Sequence, residues 1–194
     1  MTVAGLLLAA GAGRRFGRPK ALLELDGEPF VTRGVRLLTS GGCDRVLVVL
    51  GAEAEQARAA AGRAEVLVAQ DWADGMGASL RAGLAALDPD VPACVVALAD
   101  QPLIGPVAVA RLLAAWRSGA RAAVASYAGK QRNPVLLDRS TWADVAALAV
   151  GDSGARGWLR AHPELVVAVE CGDTGDPFDI DTPADLSTIQ EKTP

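Results

Sequence analysis

Apolar runs rich in valine and leucine recur along the chain at 3–10 (VAGLLLAA), 45–51 (RVLVVLG), 64–69 (AEVLVA), 93–99 (ACVVALA), 122–127 (AAVASY), 133–138 (NPVLLD) and 166–171 (VVAVEC). Several are apolar on consecutive rather than alternate residues. That pattern requires strands covered on both faces, as in a parallel sheet. Amphipathic stretches lie between them at 30–41, 53–62, 78–87 and 106–119. Strands alternating with helices predict an α/β layered domain with right-handed crossovers. After Tyr127 the alternation weakens and glycine and proline breaks accumulate, so that part is expected to hold an antiparallel strand and substrate loops. A last helix is expected over 183–190, and the final EKTP is expected to fray.

A chain of 194 residues, 51% of them hydrophobic, suits one domain; division would leave two marginal cores. The net charge of -4 implies no general attraction to nucleic acid. Cys43, Cys94 and Cys171 lie far apart with no metal-ligand spacing and are expected to be buried reduced thiols. No apolar stretch approaches the roughly 20 residues a membrane helix needs, and the first apolar run lacks the basic flank of a secretory signal. A cytoplasmic protein without membrane or nucleic-acid partners is expected.

Ligands of open α/β sheets bind beyond the carboxyl ends of the strands. The residues to weigh are therefore Gly11 to Lys20, Asp71 to Ser79, Asp100 to Pro102, and the later DIDTPADL. The first loop, AAGAGRRFGRPK, fails the dinucleotide fingerprint because Phe16 stands where a third glycine is needed. It also lacks the Gly-Lys-Ser/Thr of a P-loop. What remains is an extended loop opened by glycines and lined with cations. Gly11 and Gly13 let backbone amides approach an anion, Arg14 and Lys20 bring full charges able to neutralise a triphosphate, and Pro19 stiffens the chain before Lys20. The plainer alternative is a basic surface loop.

The segment Leu8 to Lys20 resembles the signature loop of the MobA-like nucleotidyltransferases of the molybdenum cofactor branch, and is most similar to its cytidylyl-transferring group. DGMGASLRAGL (74–84), ALADQPLI (97–104), RNPVLL (132–137), GDSGAR (151–156) and DIDTP (179–183) follow the family's order. The resemblance implies a Rossmann-like three-layer sandwich of the nucleotide-diphospho-sugar transferase type, mostly parallel with a small antiparallel part. It also implies division of the single domain into a nucleotide-binding part, 1–104, and an acceptor-binding part, 105–194. The activity implied is attack of an acceptor phosphate on the α-phosphorus of a nucleoside triphosphate, with release of pyrophosphate. A phosphate dianion needs no general base, in keeping with the lack of any Ser/His/Asp arrangement. Lys20, Arg14 and Asp100 are expected to act by positioning and charge neutralisation.

A nucleoside triphosphate brings a divalent cation, here expected to be Mg2+, held by one or two carboxylates plus phosphates and water. Asp100 ends an apolar strand at the ligand edge; its alternative role is a helix N-cap. The family's matching acid holds the metal that bridges the two substrates. Asp181 matches a second family acid, but helix capping before Pro183 is a real alternative. Asp179 is expected to point elsewhere.

Leu8, Ala9, Ala10, Gly11 and Gly13 are expected to meet the nucleotide together with Gly75 and Ser79. Ala-Ala-Gly at residues 9–11 resembles the pyrimidine-using members, and the Ala10 side chain narrows the base slot, so CTP is favoured over GTP. The GMGASL stretch reads alternatively as glycine-rich entry into a helix. Lys130, Arg132 and Asn133 are candidates for the acceptor's phosphate, and Asp152 and Arg156 for the polar groups of a molybdopterin. Asn133 stands where the cytidylyl branch often has histidine. GDSGAR could equally be a loop capped by Asp152 or Ser153. A molybdoenzyme or its chaperone is the implied recipient of the product. The rival readings are guanylyl or other nucleotidyl transfer, to molybdopterin or another phosphate acceptor, and a nucleotide-binding maturation factor without turnover.

Overall fold

The computed structural model describes residues 2–51 and 54–192. In chain order the elements are β1 (Ala4–Ala9), β2 (Glu24–Leu25), β3 (Glu28–Pro29), α1 (Phe30–Ser40), β4 (Arg45–Leu50), α2 (Ala54–Ala60), β5 (Glu65–Val68) and α3 (Met76–Ala86). Then follow β6 (Ala93–Leu98), α4 (Pro106–Arg117), β7 (Ala122–Tyr127), β8 (Lys130–Asp138), α5 (Trp142–Leu148), α6 (Arg156–Ala161), β9 (Val166–Glu170) and α7 (Pro183–Lys192). The expected start of the second helix at Glu53, and the expected fraying at Thr193 and Pro194, lie outside the described residues.

Every sheet strand falls on one of the apolar runs. They form one seven-stranded sheet in the order β5-β4-β1-β6-β8-β7-β9, with β2 and β3 making a separate small ribbon. The pairs β4–β5, β1–β4, β1–β6 and β7–β9 are parallel; β8 runs antiparallel to both β6 and β7. The expected antiparallel strand is thus β8, which starts at Lys130 rather than at Asn133.

Consecutive burial along β1 has the predicted cause. Leu7 joins Val31, Leu38, Leu112 and Leu113 on the side of α1 and α4. Leu6 and Leu8 join Leu80, Leu84, Trp142 and Trp158 on the side of α3, α5 and α6. Successive residues of a strand face opposite sides, so a sheet covered by helices on both faces buries all of them. Each such leucine stabilises the fold by about 1.5–3 kcal/mol relative to exposure. A third cluster, of Leu23, Leu25, Phe30, Ile180 and Ile189, docks the ribbon and α7 against the start of α1. The three cysteines are free and buried; burial pushes the Cys43 thiol up to about 12, and Cys94 is raised as well.

Two topological facts position the site. β1 and β6 are adjacent and parallel, so the loops after Ala9 and after Leu98 open side by side. Because β8 is reversed, its beginning lies where β6 ends: Val96 pairs with Val135. A bulge between β7 and β8, where Val124 faces Val135 but Ala125 faces Arg132, re-aims Asn133 and its neighbours at that edge. No helix among the described residues is long and apolar enough to cross a membrane.

Candidate active site

The loop after β1 folds back on itself. The Phe16 amide donates to the Gly13 carbonyl at 2.8 Å, and the Lys20 amide donates to the Gly11 carbonyl at 3.2 Å. Gly13 has φ +58°, and a Cβ there would lie 1.9 Å from the Arg18 carbonyl oxygen. Only glycine satisfies both the left-handed backbone and the close approach. Phe16 packs against the third apolar cluster and anchors the loop. Lys20 is thereby returned beneath Gly11, its Cδ within 3.9 Å of where a Gly11 Cβ would stand.

Lys20 Nζ donates to Asp100 Oδ2 at 2.8 Å and also to Asp181 Oδ1. Burial by itself would lower the Lys20 pKa, but the charges and hydrogen bonds of Asp100 and Asp181 outweigh it and hold the group above its ordinary 10.5. Lys20 is therefore an ammonium clasped by two carboxylates. Asp100 Oδ1 is buried and has no hydrogen-bond partner among the described residues.

Both capping alternatives are resolved by the helix starts. The residue capping α4 is Gly105, which leaves Asp100 free of that role. Ahead of α7, Asp185 Oδ2 accepts from the Thr182 amide at 2.7 Å, and the Asp185 amide donates to Thr182 Oγ1 at 3.3 Å. This reciprocal pair is a capping box. Thr182 and Asp185 close the helix, and the Asp181 side chain turns to Lys20.

Asp179 was set aside from the site on the sequence, and the geometry corrects this. In an extended segment residues two apart share a face, so Asp179 and Asp181 converge. Asp179 Oδ1 accepts from Gln101 Nε2 at 2.9 Å. Although Asp179 is exposed as a residue, partial desolvation of its carboxyl, then the charges of Asp100 and Asp181, raise its pKa above 3.8 against the opposing effect of the Gln101 bond. Ionisation of Asp179 therefore costs folding stability: the cost is absent below pH 3.8, grows as pH rises through the folded-state value, and is complete at neutrality. Asp179→Asn keeps an acceptor for Gln101 and removes the repulsion. At pH 7 it is expected to stabilise the ligand-free protein by about 0.2–1 kcal/mol, the scale of solvent-screened charge pairs. The gain in Tm, followed by circular dichroism, should shrink to nothing as pH falls below 4.

Two cavities meet at these acids. The smaller, about 330 Å³, is lined by Leu8 to Arg14, Lys20, Gly75, Ser79 and Asp100, and so gathers all the residues expected to meet a nucleotide. Arg15 and Arg18 do not line it. Ser79 lies inside the first turn of α3, three residues after its start, and is buried. The larger cavity, about 480 Å³, takes in Arg132, Asn133, Arg156 and Asp181. Met76, Leu98 and Asp100 belong to both walls.

Asp152 and Lys130, both expected to meet the acceptor, do not line the larger cavity. Asp152 lines the smaller cavity, where its Oδ1 accepts from the Met76 amide at the start of α3. Its alternative reading was a cap within its own loop; the bond reaches instead the first amide of a helix 76 residues away in sequence. Gly75, at φ +101°, has no room for a Cβ, which would lie 2.7 Å from Asp152 Oδ1. Lys130 sits at the β7–β8 hairpin and lines neither cavity.

Sequence reasoning missed Trp72, whose side chain walls the smaller cavity, and Gln101 and Arg160, which line the larger. Arg160 follows Arg156 by one turn of α6, a spacing that puts two guanidinium groups on one helix face. Trp72 lies within the Asp71–Ser79 loop that strand order pointed to.

Residues 5–166 match the family model for the MobA-like NTP transferase domain. The chain is 40% identical to nicotine blue oxidoreductase of Paenarthrobacter nicotinovorans, over 93% of this chain and 92% of that protein. It is 32% identical to molybdenum cofactor guanylyltransferase of Rhodobacter capsulatus, over 99% and 97% of the two chains. Among solved structures, the manganese complex of Rv0371c from Mycobacterium tuberculosis superposes with a TM-score of 0.82 at 27% identity, covering 100% of both chains.

Proposed function

The chain belongs to the MobA-like NTP transferase family, and from that premise we propose that it transfers CMP from CTP to the terminal phosphate of a molybdopterin-type acceptor, releasing pyrophosphate. One observation carries this reading: Lys20, Asp100 and Asp181 converge where the two cavities share a wall. That is the place where a donor's α-phosphate and an acceptor's phosphate must meet.

The residues fit a divalent cation. Two carboxylates already share one cationic centre, and Asp100 Oδ1 is buried without a partner. Among the described residues no cluster of three or more acids, histidines or cysteines is able to hold a metal alone. A cation with few protein ligands and several from phosphate and water is the usual magnesium arrangement. Asp100 and Asp181 would hold Mg2+, which when bound neutralises charge on the phosphates.

The chain's own groups do the rest. Backbone amides at Gly11 to Gly13 and the Arg14 guanidinium cradle the triphosphate. The acceptor's phosphate oxygen forms the new P–O bond at the α-phosphorus as the bond to the pyrophosphate oxygen breaks. Lys20 stabilises the charge that develops on the leaving group, and no proton need move. Arg132, Asn133 and Arg156 orient the acceptor. Ala10 fills space beside the base, which favours the smaller pyrimidine. The reading further assigns the protein to the cytoplasm, with a molybdoenzyme or its chaperone as recipient.

Pyrophosphate release with molybdopterin and Mg2+ is expected with CTP and to be at least about tenfold slower with GTP, about 1.4 kcal/mol in the transition state. Equal or greater release with GTP would transfer the reading to guanylyl transfer, the activity that the Rhodobacter relative's name carries. A second reading, redox turnover, is favoured by the 40% identical relative named an oxidoreductase. Redox turnover of nicotine blue, with no pyrophosphate from any nucleotide, would establish it.

A further inference from the structure

The cation site has an occupant of its own. Lys20 Nζ lies within hydrogen-bond distance of one oxygen from each of Asp100 and Asp181, the two acids that would hold the cation. We propose that in the nucleotide-free protein the Lys20 ammonium competes directly with divalent metal for Asp100 and Asp181, so that metal enters with the nucleotide, as the metal–nucleotide chelate, and not ahead of it. This rests on the nucleotidyl-transfer reading and adds an order of binding to it.

Exchange of partners carries the argument. A free divalent cation arriving first must expel Lys20, whose side chain is only 19% exposed and whose ion pairs are those two acids. The expelled ammonium would then lose both carboxylates that accept its hydrogen bonds. A triphosphate resting on Gly11 to Gly13 changes this, because the Lys20 stem already runs beneath Gly11. The ammonium can then move to a phosphate oxygen without losing a charged partner, and both carboxylates become free for the cation the nucleotide brings. Asp100 Oδ1, buried and unpartnered while Lys20 holds Oδ2, gains a cation in the same event. Asp179 adds negative charge nearby but makes no hydrogen bond to Lys20, so it does not replace the ammonium.

Free Mn2+ followed by electron paramagnetic resonance tests this on the whole protein. Mn2+ alone should bind the wild type weakly, and Lys20→Met at least about tenfold tighter, the scale of one charge-assisted contact removed from competition. Lys20→Arg, which keeps a cation on the acids, should stay as weak as the wild type. Lys20→Gln serves in place of Lys20→Met if that variant does not fold. Equal Mn2+ affinity for the wild type and the uncharged variants overturns the competition. A further arm separates this from failure of the functional reading: with CTP present, the wild type should hold Mn2+ beyond what CTP alone binds, and Asp100→Asn should not. Absence of that ternary complex rejects the metal–nucleotide site itself, and the competition with it.

Discussion

Asp100→Asn is expected to lower kcat for pyrophosphate release by at least about a thousandfold, or roughly 4 kcal/mol of transition-state stabilisation. Asparagine retains the shape of aspartate, and its amide oxygen still accepts from Lys20. The backbone bond from the Ile180 amide to the Asp100 carbonyl is untouched. The fold should therefore persist, with a circular dichroism spectrum matching the wild type. What disappears is the full charge on the one carboxylate among the described residues that lines both cavities. Raising Mg2+ should recover little of the rate, since the remaining acid, Asp181, is half exposed. Single-turnover measurements would separate this from slow product release. A variant with near-normal kcat would remove Asp100 from the chemistry.

Lys20→Met is expected to lower the same rate through a different charge. The side chain has nearly the same length and apolar stem, so the loop from Gly11 should keep its course. Loss of the ammonium removes a preorganised cation from the developing charge of the leaving pyrophosphate. Deletion of a comparable oxyanion donor costs about 10²–10³ in kcat, or ~3–4 kcal/mol. The fall should appear in kcat and kcat/KM together, because the contact is strongest in the transition state. A change confined to KM for CTP would make Lys20 a ground-state binding group only. The variant leaves Asp100 and Asp181 facing each other without their shared cation, so its Tm should rise on adding divalent metal more than that of the wild type.

How much of this was legible in the sequence depended on whether the determining interaction was local. Consecutive apolar residues in β1, β4 and β6 are a direct result of burial on both faces, and they located the sheet. α5 and α6, of 7 and 6 residues, escaped because they lie among the glycine and proline breaks that follow Tyr127; their signals are the isolated burial of Trp142, Val145, Trp158 and Leu159. The glycine and cation pattern from Gly11 to Lys20 is contiguous, and it marked the smaller cavity. Asp181 came through its motif alone, for it meets Lys20 161 residues away in sequence. Asp152 shows the limit: a loop acid reads the same whether it caps its own turn or the start of α3. Asp179 was within reach, since the two-residue spacing in DID already puts both acids on one side of an extended chain.

The third apolar cluster has a temporal meaning as well. Asp181 sits between Ile180, which is fully buried in that cluster, and the capping pair that starts α7. Its carboxylate is thus delivered by a hydrophobic latch that closes only after the whole sheet has been synthesised. On the ribosome, a polypeptide already able to form β1 and β6 and present Lys20 to Asp100 would still lack its second acid. Assembly of the latch is thus one of the last steps by which the growing molecule brings its distant acids together.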